Sequence, residues 1–225
     1  MYKSRRSFTM QRHLFNHDGL RFSYLDSGGE APVLLLLHAR GMQASDFNSV
    51  AGRFAPGWRV VALDQRGHGE TSPAQNVKPQ DYVGDVGALL DHLSIARPVA
   101  LLGHSLGGEI ASRFAAAHPK RVRALIIEDM IVRHQHDYAL DWEESLKAWL
   151  ATSLPALVLR AGKRPVVQGE DVKERVRRRP NTLLVTIDSG QSIHIDKPDA
   201  FVATVLDFLG RLTGYEASLL VDDAA

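Results

Sequence analysis

Six short, largely apolar runs recur along this chain of 225 residues, and they limit its possible folds more than any other feature. Each run is too short for a typical helix and too uniformly apolar for a strand with one face in water. Such runs are typical of strands that are buried on both faces of a parallel sheet. The predicted strands cover residues 33–37, 59–63, 99–102, 124–127, 156–159 and 183–187.

Amphipathic stretches with helical spacing lie between these strands, at residues 81–93, 106–118, 141–152 and 198–212. Two earlier runs, 11–15 and 20–25, flank an Asp-Gly pair that favours a hairpin. The order predicts an α/β fold, in which a mostly parallel sheet begins with an antiparallel N-terminal hairpin and carries helices on both faces. We expect a single domain over residues 1–225, with a core from about 10 to 212 and a C-terminal tail at 214–225.

Charge and composition exclude several functional classes. The chain has 27 basic and 26 acidic side chains, so its net charge of +1 gives no attraction to nucleic acid or anionic membranes. Neither is predicted as a partner. The absence of cysteine excludes a disulfide scaffold, a thiol nucleophile and a cysteine zinc site. No signal peptide is visible, and no apolar run approaches the ~20 residues of a membrane helix. The expectation is therefore a soluble, cytoplasmic protein.

A sharp glycine-rich turn follows the predicted strand 99–102. Its sequence is Gly-His-Ser-Leu-Gly-Gly, with the serine at position 105, and a predicted helix begins directly after it. This strand–turn–helix context is the one that a G-x-S-x-G nucleophile elbow requires. The turn would expose the hydroxyl of Ser105 beside the free N–H groups of the new helix, so Ser105 is the predicted nucleophile. His104 is expected to point away from it and to pack. A turn that merely connects two elements is the alternative.

Acyl transfer also needs two hydrogen-bond donors for the negative charge that develops on the carbonyl oxygen. The backbone N–H of Leu106, directly after the nucleophile, is one predicted donor. The first buried strand ends at His38, and the loop that follows it contains Arg40. We predict the backbone N–H of Arg40 as the second donor and His38 as part of the substrate rim.

Four motifs, in order over about residues 10 to 212, resemble those of the α/β-hydrolase superfamily, in its branch of small esterases and lipase-like hydrolases. They are the loop at His38, the segment Asp-Gln-Arg-Gly-His-Gly at 64–69, the elbow at Ser105, and Gly-Gln-Ser-Ile-His at 190–194. The resemblance implies that His194 is the general base, and that Arg66 and His68 belong to the scaffold. Two positions depart from the family pattern, because Ala39 replaces a usual glycine and Gln191 replaces a common histidine.

The acid that orients the histidine has to be sought at two strand ends. The family usually places it after the strand read here as 156–159, but Arg-Ala-Gly-Lys-Arg-Pro follows that strand, and the nearest carboxylates are Glu170 and Asp171. Some branches place the acid one strand earlier, where this chain has Glu128 and Asp129. We assign Asp129, with Glu170, Asp171 and Glu128 as the alternatives.

Few residues remain that could form a cap over the site. The stretch 141–152 is needed to cross a face of the sheet, so residues 130–140 can form only a vestigial cap. The expected site is open and shallow, and the rim residues expected from this segment are Met130, His134, His136 and Tyr138. His134, His136 and Asp137 could also form a metal site, but no other ligand cluster supports one, so no metal is predicted.

The predicted function is hydrolysis of small, short-chain carboxylic esters by Ser105, His194 and Asp129 without a cofactor. The predicted reactants are a small-molecule ester and water. Lactonase, thioesterase, carbon–carbon-bond hydrolase and perhydrolase activities use the same machinery and stay open. A non-catalytic small-molecule receptor of the same fold is the alternative from another class. Epoxide and haloalkane hydrolysis are disfavoured, because the corresponding family branches use aspartate where this chain has Ser105.

Overall fold

An eight-stranded sheet forms the centre of the computed structural model, which describes residues 8–55, 57–129, 142–163 and 169–222. The strand order is β1-β2-β4-β3-β5-β6-β7-β8, with antiparallel pairing of β1 with β2 and of β2 with β4, and parallel pairing thereafter. The α/β fold with its antiparallel hairpin is confirmed. The strands are β1 (Gln11–His17), β2 (Leu20–Asp26), β3 (Val33–Leu37), β4 (Arg59–Asp64), β5 (Val99–His104), β6 (Val122–Glu128), β7 (Ala156–Ala161) and β8 (Thr182–Ile187).

Helices cover both faces of this sheet. They are α1 (Asn48–Phe54), α2 (Pro79–His92), α3 (Leu106–Ala117), α4 (Trp142–Leu150), α5 (Gly169–Arg177), α6 (Ile193–Asp196) and α7 (Pro198–Asp222), with 3-10 turns at Ala44–Phe47 and Pro119–Arg121. Successive strand residues point to opposite faces, so Leu35 and Leu37 pack under α2 and α3 while Leu34 and Leu36 pack under α1 and α7. Burial on both faces explains the uniformly apolar runs.

The structure differs from the predicted elements in three places. Helix α1 is short, and helix α5 has only Val172 and Val176 as apolar residues, so neither carries a strong periodic signal. Helix α7 continues to Asp222 instead of ending at residue 212. Strands β5 and β6 continue past their apolar runs through His104 and Glu128, which pair with each other across the ladder. In the described part of the chain, none of the helices is long and apolar enough to span a bilayer.

Candidate active site

Ser105 lies between β5 and α3 with backbone angles of φ 52° and ψ −111°. A positive φ is strained for a residue with a side chain, so the surroundings must hold it in place. The N–H of Ser105 donates to the carbonyl of Glu128 at 2.9 Å, and its own carbonyl accepts from Gly108 at 2.9 Å. Backbone bonds therefore fix the turn, independently of the serine hydroxyl.

The two glycines of the elbow permit very close backbone contacts. A Cβ atom at Gly103 would lie 2.2 Å from the carbonyl oxygen of Gly107, and one at Gly107 would lie 2.1 Å from that of Leu37. Any side chain at either position would force the strand and helix apart. The sequence motif thus has a direct steric cause in the packing of α3 against β3 and β5.

His194, on α6, is fully buried against the equally buried carboxylate of Glu128. Its Nδ1 lies 2.8 and 2.9 Å from the two carboxylate oxygens, and its backbone N–H donates to Oε1 at 2.9 Å. Burial acts to raise the pKa of Glu128, but neighbouring His104 and the hydrogen bond from His194 outweigh it and lower that pKa. An ionised Glu128 can only accept hydrogen bonds, so the Nδ1 atom of His194 is the donor in this pair.

The structure therefore sets Glu128, and not Asp129, against His194. The carboxylate of Asp129 instead lies 3.5 Å from the N–H of Ala161, and its backbone has a φ of 42°. The reason is the length of β6, which continues through Glu128 in register with Leu159 of β7. Side chains alternate along a strand, so Glu128 shares a face with Ile126, on the side of the sheet where His194 packs. The predicted pairing of Asp129 with His194 is therefore wrong for this structure, and Glu128, one of the alternatives, occupies that position.

Aromatic rings enclose His194. Its ring centroid lies 4.7 Å from that of Phe47, 5.3 Å from that of His104 and 5.8 Å from that of Phe201. His104 packs as expected, but against the predicted base itself, and burial lowers its pKa. The contact between these two histidines was not predicted from the sequence. His104 and Glu128 end neighbouring strands, and their side chains point to the same face of the sheet. This feature could have predicted that His104 lies beside His194.

The Nε2 atom of His194 is buried and has no hydrogen-bond partner among the described residues. The hydroxyl of Ser105 is thus not hydrogen-bonded to it in this conformation. Catalytic hydrogen bonds are often long or misaligned before substrate binds. Ligand-type atoms of His104, Glu128 and His194 come within 4.8 Å of one another, but both carboxylate oxygens of Glu128 are already engaged by His194. We therefore interpret the cluster as a hydrogen-bonded pair of Glu128 and His194 with the ring of His104 packed against it.

The predicted oxyanion residues lie together. Leu106 begins α3, where the first N–H groups of a helix have no acceptor within the helix. Arg40 and Leu106 both line a cavity of about 420 Å³ beside the elbow. Arg66 and Asp85, paired at 2.6 and 2.7 Å, hold one wall of this cavity, as expected for a scaffold role of Arg66.

His38 is not a rim residue, contrary to the expectation, because its side chain is buried and tethered at both nitrogens. Its Nδ1 donates to the carbonyl of Ala39 at 2.7 Å, and its Nε2 accepts the N–H of Gln65 at 3.0 Å. Burial lowers the pKa of His38 from 6.5 to about 4, so the ring is neutral at pH 7. The neutral ring links the loop that carries Arg40 to the end of β4.

This tether predicts an acid-sensitive fold. The unfolded chain protonates His38 near pH 6.5 and the folded chain only near pH 4, so the unfolded state binds more protons between these values. The free energy of unfolding should therefore fall by about 3 kcal/mol from this group as the pH drops through that window. Urea unfolding at pH 7 and pH 4.5 measures the loss. His38→Gln should be less stable at pH 7 and should lose less on acidification; equal losses in both proteins would contradict the assignment.

The remaining predicted positions lie outside the described residues. These are the vestigial cap at 130–140, with Met130, His134, His136 and Tyr138, and the alternative metal group with Asp137. Glu170 and Asp171 fall in the first turn of α5, where the side chains are likewise not described.

The chain is similar in sequence to a known protein family and to individual known proteins. Residues 32–153 match the profile of a family described as "alpha/beta hydrolase fold". A stretch of 113 residues is 38% identical to epoxide hydrolase 4 of Homo sapiens and covers 48% of this chain and 31% of that protein. Another comparison, over 105 residues, gives 39% identity to protein phosphatase methylesterase 1 of Mus musculus, with 43% of this chain and 27% of that protein covered. The chain thus matches less than a third of the length of these two relatives.

Among solved structures, the enol-lactonase of Burkholderia xenovorans LB400 superimposes with a TM-score of 0.78 at 21% identity. The superposition covers 88% of this chain and 100% of the lactonase chain. At this identity the likeness shows a shared fold, and it leaves the chemistry to be argued from the residues of the site.

Proposed function

Since the chain belongs to the α/β-hydrolase fold family, we propose that it is a serine hydrolase that cleaves small carboxylic esters, with Ser105 as its nucleophile. The strained backbone of Ser105 carries the proposal. Its φ of 52° is held by backbone bonds and by two glycines that tolerate no Cβ, an arrangement that costs free energy and presents one side chain at the start of a helix.

The proposed reaction also uses the two buried residues His194 and Glu128. The Oγ atom of Ser105 attacks the acyl carbon, and Nε2 of His194 accepts its proton and then returns it to the departing alcohol. Glu128 holds the proton on Nδ1 and stabilises the imidazolium that forms. The N–H groups of Leu106 and Arg40 bind the oxyanion, and water then releases the acid. No cofactor enters these steps, and the cysteine-free sequence suits a reducing compartment such as the cytoplasm.

Hydrolysis of p-nitrophenyl esters of increasing acyl length tests this function. The cavity of about 420 Å³ lies at the small end of ligand sites, so we expect acyl chains of about two to six carbons to give the highest kcat/KM. Little increase in rate is expected when the substrate passes its solubility limit. A preference for long-chain triglycerides with a jump in rate at the lipid–water interface would contradict this prediction. Lactones and thioesters belong in the same assay, because they would use the same groups.

A second candidate, a small-molecule receptor without turnover, is favoured by the enclosure of His194. Its Nε2 atom is buried and lacks a hydrogen-bond partner among the described residues, so the proton transfer requires a side-chain movement. A fluorophosphonate probe separates the two candidates. Labelling of Ser105 requires an activated serine, and a well-folded protein that resists the probe would be a receptor.

Gln191 allows a sharper test of where the base lies. It is exposed, and its backbone hydrogen-bonds His104, directly before the nucleophile. If His194 is the base, Gln191→His should change kcat/KM by less than about threefold, as for most surface substitutions. Gln191→Asn is the matched control, because it shortens the amide side chain without introducing an imidazole. A gain above about tenfold in the histidine variant alone would mean that the natural chain lacks an accessible base at this elbow.

A further inference from the structure

The sheet ends in two edge strands, β1 and β8, and their sequences differ in how they protect the edge. Strand β1 contains Arg12, His13 and His17. Strand β8 has the sequence Thr-Leu-Leu-Val-Thr-Ile, without charge or proline, and it pairs with β7 without a bulge. Its Leu183 is 40% exposed. Proteins usually protect an edge of this kind with charges, proline or a bulge, because an open edge can pair with another strand.

The main-chain groups of β8 divide between its two sides. The N–H of Gly162 donates to the carbonyl of Ile187 at 2.8 Å, so the main-chain groups of Ile187 face β7. These groups alternate in direction along a parallel strand, so the N–H and C=O groups of Thr182, Leu184 and Thr186 face away from β7. Within the part of the chain that the structure describes, no strand pairs with this side of β8 and no hydrogen bond reaches it.

We propose that two copies of the chain associate through β8, which pairs antiparallel about a twofold axis at Leu184. Leu184 then lies opposite its counterpart, and Thr182 lies opposite Thr186 of the second copy, so about six main-chain hydrogen bonds form. On the other face of the strand, the exposed Leu183 lies opposite Val185 of the second copy. Threonines are favourable neighbours across strands, and covering Leu183 removes apolar surface from water.

The charges at the two ends of β8 select a second copy in this orientation. Asp188 directly follows the strand, and its side chain is 80% exposed although it lies 3.5 Å from Lys163. Arg178, shortly before the strand, is also exposed. Antiparallel pairing brings the basic end of each copy to the acidic end of the other, whereas parallel pairing would bring like charges together. A strand with this distribution of charge is complementary to itself.

Sedimentation equilibrium of the full chain tests this interface. The wild type should form dimers at a protein concentration of about 100 μM, and added salt should weaken them. Leu183→Lys should raise the dissociation constant by about tenfold or more, because pairing would remove the ammonium group from water. Leu206→Lys is the matched control, since Leu206 is 37% exposed on α7, and it should leave the dissociation constant unchanged.

Single cysteines test the register, because the natural chain has none. At the axis the two Cα atoms of residue 184 would lie about 5.5 Å apart, which is within the range of a disulfide. Leu184→Cys should therefore give a disulfide-linked dimer on mild oxidation. Thr186→Cys is the control at a more exposed position. It would lie more than about 12 Å from its counterpart, so it should form little cross-linked dimer.

The proposal fails if the wild type is monomeric at about 500 μM, or if its dimers survive Leu183→Lys as well as they survive Leu206→Lys. Cross-linking through Thr186→Cys but not through Leu184→Cys would also overturn it, because the contact would then have another register. Circular dichroism verifies the fold of each variant. If Leu184→Cys does not fold, the comparison of the two lysine variants decides the question. None of these results depends on whether Ser105 is catalytic.

Discussion

Replacing Ser105 with alanine should lower ester turnover by about five to six orders of magnitude and abolish fluorophosphonate labelling. The fold should persist, because the turn is held by backbone bonds to Glu128 and Gly108 and not by the hydroxyl. Without that hydroxyl no acyl-enzyme can form, and the remaining groups can only position water. The measurement is kcat on a short p-nitrophenyl ester, with circular dichroism to verify folding.

Ser112 provides the matched control for this variant. It lies on α3, and its buried hydroxyl donates to the carbonyl of Gly108 within the helix. Ser112→Ala should cost about 1 kcal/mol of stability and leave the labelling intact. Near wild-type turnover in the Ser105→Ala protein would remove this serine from the mechanism.

Glu128→Gln is expected to lower kcat/KM by about four orders of magnitude, close to the loss seen when the acid of a serine-protease triad is replaced by its amide. The amide can no longer hold the proton on Nδ1 of His194 and stabilise the charged ring. Because the pair is fully buried, the variant should also lose stability, on the order of 3 kcal/mol. Activity should therefore be expressed per folded molecule at a temperature where both proteins are native.

Asp129→Asn is the neighbouring control. Asparagine tolerates the positive φ of this position, so the backbone should be preserved. We expect kcat/KM within several-fold of wild type. An active Glu128→Gln protein beside an inactive Asp129→Asn protein would return the catalytic acid to Asp129 and leave the Glu128–His194 pair a structural role.

The sequence predicted those features that are encoded by local patterns. The sheet followed from apolar runs, and the elbow from glycines on either side of Ser105. The carboxylate that contacts His194 could not be identified in this way, because Glu128 and Asp129 are adjacent and only the point at which β6 ends decides which one faces His194. That point is set by pairing with β7, a contact between distant parts of the chain.

The same limit applies to His38 and α5. A histidine at a strand end is compatible with both a rim and a scaffold role, and its burial became visible only with Gln65 beside it. Most residues of helix α5 are charged, so its amphipathic signal in the sequence is weak. The structure shows that Val172 and Val176 pack against the core. In both cases a non-local contact supplies the information that the local pattern lacks.

The interleaved strand order has a consequence for how the elbow comes into being during folding. The backbone conformation of Ser105 depends on the carbonyl of Glu128 in β6, and the adjoining glycine contact depends on Leu37 in β3. These residues are distant from Ser105 in sequence, so the contacts carry a loop-closure entropy cost that local contacts do not. The strained turn is therefore not a purely local motif, and its backbone contacts are complete only when β3, β5 and β6 have docked. The activity that we propose for Ser105 accordingly requires all three strands to be in place.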